Sequence, residues 1–193
     1  MERVTGIRLA ARQSFSSTKG QMGFHPRIRL WLSAAVLVCA LATPRAGPAQ
    51  GPRRDSLSIA VSPGLVSFTL KPSGVSSGSA PVTVTTTWQI QRGGTTITLY
   101  AYFSSPAAAL RSGPGNVIPS SRVFGKVGTR PFSPFTAVGP FSAGGSLMIY
   151  SERVRGNRQN TRTDTLDLQI NTTGLTLSPG TYTGVLTILA QAI

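Results

Sequence analysis

The fold of this chain is decided by its last stretch, Gly180-Thr-Tyr-Thr-Gly-Val-Leu-Thr-Ile-Leu-Ala-Gln-Ala-Ile193. Four even positions of this stretch share one face: Tyr182, Gly184, Leu186 and Ile188. Apolar residues at every second position, opposite threonines, are typical of a β-strand with one buried face. Near the end the polar face also becomes apolar, at Leu189 and Ile193. A strand that is apolar on both faces has to be covered on both, by its own domain or by a partner.

The same alternation recurs along the chain after residue 50 and predicts further strands, at 55–61, 66–70, 82–91, 95–103, 147–151 and 163–170. Val82–Gln91 has the clearest pattern, with Trp88 on its apolar face and threonines on the other. Arg92-Gly93-Gly94 predicts a compact hairpin turn after it, and residues 152–162 predict a polar, arginine-rich hairpin tip.

Residues 104–146 are less regular, because glycine and proline recur throughout them. These residues exclude long helices and permit only short strands, such as Val117–Ile118 and Val123–Phe124. A stretch of this length is expected to be either a functional excursion or a set of short edge strands.

Seven or eight strands without a helix predict an all-β fold for residues 50–193. We expect a two-sheet antiparallel immunoglobulin-like sandwich that carries an irregular insertion at 104–146. A closed barrel is the alternative. The hydrophobic content of 40% is sufficient for a core, and the 21 glycines and 14 prolines suit a fold with many turns.

Residues 1–49 are predicted to be a leader. The run 30–42 is thirteen residues long, is apolar except for Ser33, and follows Arg27 and Arg29. A membrane-spanning helix needs about twenty apolar residues, whereas the core of a signal peptide needs about 7–15. We therefore expect a secreted, periplasmic or cell-surface protein with a cleaved signal peptide, and no transmembrane helix in the mature chain.

The leader leaves two details open. Cleavage would follow Ala42 or, as we favour, Ala49, and the long basic region suggests that translation starts at Met22. Cys39 lies where a lipoprotein would carry its modified cysteine, but Val38 precedes it where that motif requires a small residue. After cleavage the mature chain would contain no cysteine.

The formal charge of +14 is unevenly distributed. Six of the 19 lysines and arginines precede residue 30, and from Gln50 onward twelve basic and four acidic residues leave +8. Scattered basic residues are typical of a solvated surface that keeps copies of a protein apart. Attraction to an anionic membrane surface or an acidic polysaccharide is the alternative, and nucleic acid is not an expected partner of an exported protein.

Residues 50–193 have little catalytic chemistry. They contain no histidine and no cysteine, which removes the commonest general base, metal ligands and thiol nucleophiles. Asp164 and Asp167, three positions apart, would lie on opposite faces of a strand, and Glu152 is expected to form a surface ion pair. No nucleophile elbow and no phosphate-binding glycine motif occurs. We therefore predict a non-enzymatic protein with no metal and no cofactor.

One segment, residues 163–188, resembles the last two strands of secreted bacterial immunoglobulin-like domains. Its Gly174-Leu175 corner and its turn Pro179-Gly-Thr-Tyr-Thr-Gly184 lead into the closing strand. BACON-type domains of carbohydrate-associated exoproteins end in this way, and spore-coat-U-like and pilin-like subunits close similarly. The resemblance covers 26 residues and implies the sandwich fold; the insertion at 104–146 and the lack of a cysteine pair depart from these families.

Two functions follow as expectations. The first is a structural or assembly protein at the cell surface, a homo-oligomer or a subunit joined to its partner by β-strand addition. The residues expected to form this strand-exchange interface are Leu57, Ile59, Val61, Leu189 and Ile193. The second is an extracellular carbohydrate- or surface-binding module in which Tyr100 and Tyr102, on the polar face of 95–103, stack on a glycan. Trp88 and Tyr182 are expected to be core and corner residues instead.

Overall fold

The computed structural model describes residues 2–12, 55–91, 93–140, 144–156 and 158–193. The strands, in chain order, are β1 Glu2–Arg12, β2 Ser56–Ser62, β3 Leu65–Thr69, β4 Val75–Ser77, β5 Val82–Ile90, β6 Thr96–Tyr102, β7 Leu110–Arg111, β8 Val117–Ile118, β9 Val123–Val127, β10 Ser133–Pro134, β11 Ser146–Arg153, β12 Arg158–Asn171 and β13 Thr181–Ala192. Within these ranges the only helical elements are two 3₁₀ turns, Pro106–Ala108 and Ser120–Arg122.

The strands form two sheets, as predicted, rather than one closed sheet. In the first sheet the order is β11-β6-β13-β1-β3; in addition β7 pairs with β13, and β8 pairs with β7. In the second sheet the order is β10-β9-β12-β5-β2, with β4 beside β12. All pairs are antiparallel except β1 with β3, so the fold is a largely antiparallel two-sheet sandwich.

The core lies between the two sheets and is formed by the alternate residues that the sequence assigned to it. From β5 it receives Val82, Val84, Thr86, Trp88 and Ile90, and from β6 it receives Ile97, Leu99 and Ala101. The closing strand contributes Tyr182, Leu186, Ile188 and Ala190. The alternation of apolar and polar residues arises because each strand buries one face against the opposite sheet.

Two connections differ from the sequence-based expectation. Gly93-Gly94 joins β5 in the second sheet to β6 in the first, and residues 154–157 join β11 in the first sheet to β12 in the second. Neither is therefore a hairpin, although both were expected to be. Turn residues permit either arrangement, and here the apolar faces of consecutive strands face each other across the core instead of lying side by side.

The region 104–146 is a set of short edge strands, the second of the two expectations for it. Val117–Ile118 pairs with β7, and β9 pairs with β12 at the edge of the second sheet. Phe135 is fully buried, and its ring lies edge-on to that of Phe103 at 5.2 Å between centroids. The region is thus anchored to the core by an aromatic residue rather than by long strands.

The corner before β13 behaves as expected. The Tyr182 hydroxyl donates a hydrogen bond to the carbonyl oxygen of Ser178 at 2.9 Å, and the ring is fully buried. This fixes the entry of the closing strand, because the bond closes the turn while the ring fills the core.

Most of the predicted leader, residues 1–49, lies outside the described residues, including Met22, the run 30–42, Cys39 and both cleavage sites. Only residues 2–12 are described, and they form β1 in the first sheet. In the full chain the sandwich therefore includes a segment that precedes the predicted boundary at residue 50. Removal of the leader stays a prediction.

We expect Leu186→Asp or Ile188→Asp to unfold the domain, because both side chains are fully buried. An unpaired buried charge costs more than the roughly 2–7 kcal/mol of an unpaired neutral polar group. Val185→Asp is the matched control, since Val185 is 53% exposed on the other face of the same strand. Thermal unfolding followed by circular dichroism measures both. A cooperative melt of either buried variant at the wild-type temperature would contradict the assigned core face.

Candidate functional site

In the first sheet β1 lies between β13 and β3, and we call the space that it fills the slot. Along one edge β1 pairs antiparallel with β13, from Glu2 opposite Gln191 to Arg12 opposite Thr181. Along the other edge it pairs parallel with β3, from Arg8 opposite Leu65 onward. A strand that is distant in sequence from both neighbours thus occupies the interior of a sheet.

The inward residues of β1 complete the core. Ile7 is 0% and Leu9 is 1% exposed, and they lie opposite Leu186 and Gly184 of β13. On the other side Leu9 lies opposite the buried Val66 of β3. Without this strand two large aliphatic side chains would be missing from the core, and the facing edges of β13 and β3 would lose their hydrogen-bond partners.

Gly184 lies opposite Leu9 in the register of β1 and β13. A Cβ atom on Gly184 would collide with the carbonyl oxygen of Ala109, which passes close to β13 at this point. Glycine is therefore required here by the backbone of Ala109.

The predicted strand-exchange residues are distributed over both sheets. Leu57 is buried, Ile59 and Val61 are partly buried, and all three lie in β2, which pairs with β5 at the edge of the second sheet. Leu189 is fully buried and lies opposite Val4 of β1. Ile193 is 80% exposed, while its backbone N–H and C=O bond to Thr96. Of the five residues, only Leu189 borders the slot.

Ile7 and Leu9 were not predicted to belong to the sandwich, although their spacing of two is typical of a strand. The segment 2–12 was assigned to the leader, so its alternation was not considered as part of the sandwich. The slot itself could not have been found from sequence, because it depends on which edges of β3 and β13 are left open by the other strands.

Tyr100 and Tyr102 lie on the outer face of β6, as predicted, and both are partly buried. In register, Tyr100 lies between Met148 of β11 and Leu189 of β13. Gly139 packs against the Tyr100 ring, since a Cβ atom there would lie 3.4 Å from the Tyr100 hydroxyl oxygen. The tyrosine face is therefore partly covered by the chain near Gly139, and glycan stacking on it stays a prediction.

A cluster of polar side chains, Tyr150, Glu152, Arg162 and Asp164, joins β11 of the first sheet to β12 of the second. The Arg162 guanidinium forms two parallel hydrogen bonds with the buried Asp164 carboxylate, Nε to Oδ2 at 2.9 Å and Nη2 to Oδ1 at 3.0 Å. Its Cζ atom lies 4.4 Å from the centroid of the Tyr150 ring. A carboxylate oxygen of Glu152 lies 3.7 Å from the same guanidinium, so the ion pair predicted for Glu152 is formed with Arg162.

Two ionisable groups of this cluster have displaced pKa values. Burial of the phenol is the main reason that the pKa of Tyr150 is raised above 10.0. The pKa of Arg162 is raised chiefly by its hydrogen bonds to Asp164. Asp167 instead pairs with Lys126 at 3.0 Å, so the two aspartates do not meet. Among the described residues no group of acidic, histidine or cysteine side chains could hold a metal ion.

Comparisons with protein-family models, with curated proteins and with solved structures gave no match for this chain. The resemblance to BACON-type and pilin-like domains therefore stays an expectation. None of the helical segments in the described ranges has the length and apolar character needed to cross a bilayer.

We expect Ile7→Ala and Leu9→Ala in the full-length chain each to lower the free energy of unfolding by about 2–5 kcal/mol, because each leaves a cavity between β13 and β3. Arg8→Ala is the control, since Arg8 lies between them on the exposed face of β1. Chemical denaturation measures all three. Equal stability of the Leu9 and Arg8 variants would show that β1 does not fill the slot in solution.

A raised pKa of Tyr150 has a defined consequence for stability. The folded protein holds the phenolic proton more tightly than the unfolded chain, so this contribution is fully present below pH 10.0 and is lost as the pH rises through the folded pKa. We expect the stability of Tyr150→Phe to decline less steeply than that of the wild type above pH 10.0. Denaturation curves between neutral and alkaline pH test this, and parallel declines would disprove it.

Proposed function

We propose that this protein is a secreted or cell-surface structural subunit that assembles by β-strand addition, with the slot between β3 and β13 as the acceptor. One observation carries the proposal: β1, which is far from both neighbours in sequence, fills the interior of the first sheet with Ile7 and Leu9 in the core.

An open slot would leave the domain incomplete. The edge of β13 would lose its partners along eleven register positions, and that of β3 along five. Unpaired strand edges are templates for another chain. Burial of one aliphatic side chain such as Ile7 or Leu9 stabilises by about 1.5–3 kcal/mol, so an inserted strand with two such side chains gains affinity from both the backbone and the core.

The predicted leader connects this geometry to assembly. Cleavage after Ala42 or Ala49 would remove β1 with the leader. In addition, the basic region before a signal-peptide core stays on the cytoplasmic side of the membrane. An exported domain would therefore have no access to its own residues 2–12. In the proposal β1 occupies the place of a donor strand that another chain supplies.

The slot defines what such a donor must be. The donor strand must run antiparallel to β13 and parallel to β3. It must also carry large apolar side chains two positions apart, at the positions of Ile7 and Leu9. Because donor and acceptor are different surfaces, repeated addition would be head-to-tail and would produce an open chain of subunits. A non-catalytic role agrees with the lack of histidine and cysteine in residues 50–193.

The test uses residues 50–193 with a synthetic peptide of residues 2–12 added in trans. We expect the truncated chain alone to melt at a lower temperature or to self-associate, and the peptide to bind it and raise the melting temperature. The control peptide carries Ile7→Asp and Leu9→Asp and is not expected to bind, because its charges would enter the core.

Light scattering coupled to size-exclusion chromatography reports the association state, and calorimetry reports peptide binding. The acceptor role of the slot would be refuted if the truncated chain is monomeric, melts at the temperature of the full-length protein and does not bind the peptide.

A further inference from the structure

The two connections that cross between the sheets, Gly93-Gly94 and Val154–Gly156, lie against each other at one end of the sandwich. Gly94 N–H donates to the carbonyl oxygen of Val154 at 3.2 Å, and Val154 N–H donates to that of Thr95 at 2.8 Å. These reciprocal bonds make a rigid base for the side chains around it, because each connection is held by the backbone of the other.

Two adjoining cavities open at this end. The outer one, of about 540 Å³, is lined by Gly93, Gly94, Arg153, Val154, Arg155 and Gly156. The inner one, of about 150 Å³, is lined by Trp88, Glu152, Arg153, Val154, Arg155 and Asn160. Residues 153–155 line both cavities, and we call the two cavities together the cleft. Ligand sites of small molecules commonly occupy about 300–1,000 Å³.

The cleft has two guanidinium groups without a matching carboxylate. Arg153 and Arg155 are exposed, and within the described part of the chain no acidic side chain pairs with either. The Arg153 guanidinium lies over Gly94, since a Cβ atom there would be 3.6 Å from Nη2. A planar guanidinium binds a carboxylate or a sulfate through two parallel hydrogen bonds.

The ring of Trp88, which is only 2% exposed, forms part of the wall of the inner cavity. Its indole Nε1–H has no hydrogen-bond partner among the residues that the structure describes, and the nitrogen itself has almost no accessible surface. Trp88 therefore shapes the inner cavity, and the polar side chains that line it are those of Glu152, Arg153, Arg155 and Asn160.

Asn160 and Glu152 narrow the class of ligand. A side-chain amide and a carboxylate both bind hydroxyl groups, but the carboxylate repels a densely charged polyanion. A ligand with one acidic group for the arginines and several hydroxyl groups for the remaining side chains fits all of these features. We propose that this cleft binds an acidic sugar, a carboxylate- or sulfate-bearing ring within a polysaccharide.

This site is separate from the slot and from the tyrosine face. It is formed by the ends of β5, β11 and β12, whereas the slot lies between β3 and β13. The inference therefore does not depend on the proposed assembly by strand addition. It would give a surface subunit a means of attachment to an anionic polysaccharide.

The test measures binding of four probes to the full-length chain by calorimetry: a hyaluronan hexasaccharide, a sulfated dextran oligosaccharide, neutral dextran and inorganic polyphosphate. We expect the carboxylated or the sulfated sugar to bind, and the difference between these two identifies the acidic group. Equal binding of neutral dextran or of polyphosphate, or no binding of either acidic sugar, would overturn the proposal.

Variants locate the site. We expect the double variant Arg153→Gln/Arg155→Gln to weaken sugar binding at least about ten-fold, which corresponds to about 1.4 kcal/mol. Arg111→Gln/Arg122→Gln is the matched control, because it removes the same charge at a distance from the cleft and is expected to change binding less than about two-fold at physiological salt. Equal losses in both double variants would show diffuse attraction without a site.

Trp88 gives a spectroscopic readout of the same site, because it lines the inner cavity. We expect bound sugar to change the tryptophan emission of the wild type and not that of Trp88→Phe, which retains only Trp31. An unchanged emission of the wild type at saturating sugar would place the binding site elsewhere.

Discussion

The backbone of β13 has to be hydrogen-bonded along both of its edges, and the first sheet depends on this constraint. One edge pairs with β6 and, through a single residue, with β7; the other pairs with β1 along eleven positions. The same strand carries Tyr182, Leu186, Ile188 and Ala190 into the core. A buried strand cannot leave one row of N–H and C=O groups unpaired without a large cost in free energy, so whatever lies beside β13 is part of the fold.

The dependence of the sheet on a strand from a distant part of the chain gives the slot its functional meaning. The longest stretch between consecutive strands is residues 13–55, which separate β1 from β2. A segment that is covalently remote contributes to the core as any other strand does, because packing and backbone pairing do not depend on connectivity. The same site can therefore accept an equivalent strand from another molecule, at the cost of bringing two chains together.

The end of the sandwich at the connections between sheets is built on different interactions. There β12 extends beyond its pairing with β9, and the space next to Tyr150 is closed by the Arg162–Asp164 pair instead of by apolar side chains. A partly exposed arginine held by a buried aspartate is tolerated because the pair is bidentate and the ring covers the guanidinium. The charged groups at this end, among them Glu152, Arg162 and Asp164, distinguish it from the apolar core between the sheets.

The sequence by itself determined the class of secondary structure, the inward face of nearly every strand after residue 55, the short strands near Val117 and Val123, and the corner role of Tyr182. These properties are local: alternation, glycine and proline report on a strand and its turn whatever the strand pairs with. Only the tertiary structure decided that β5 and β6 belong to different sheets, that β2 pairs with β5, and that Ile7 and Leu9 enter the core between β13 and β3. Partners are chosen by the packing of distant segments against one another, and a pattern with period two fits equally well beside several strands.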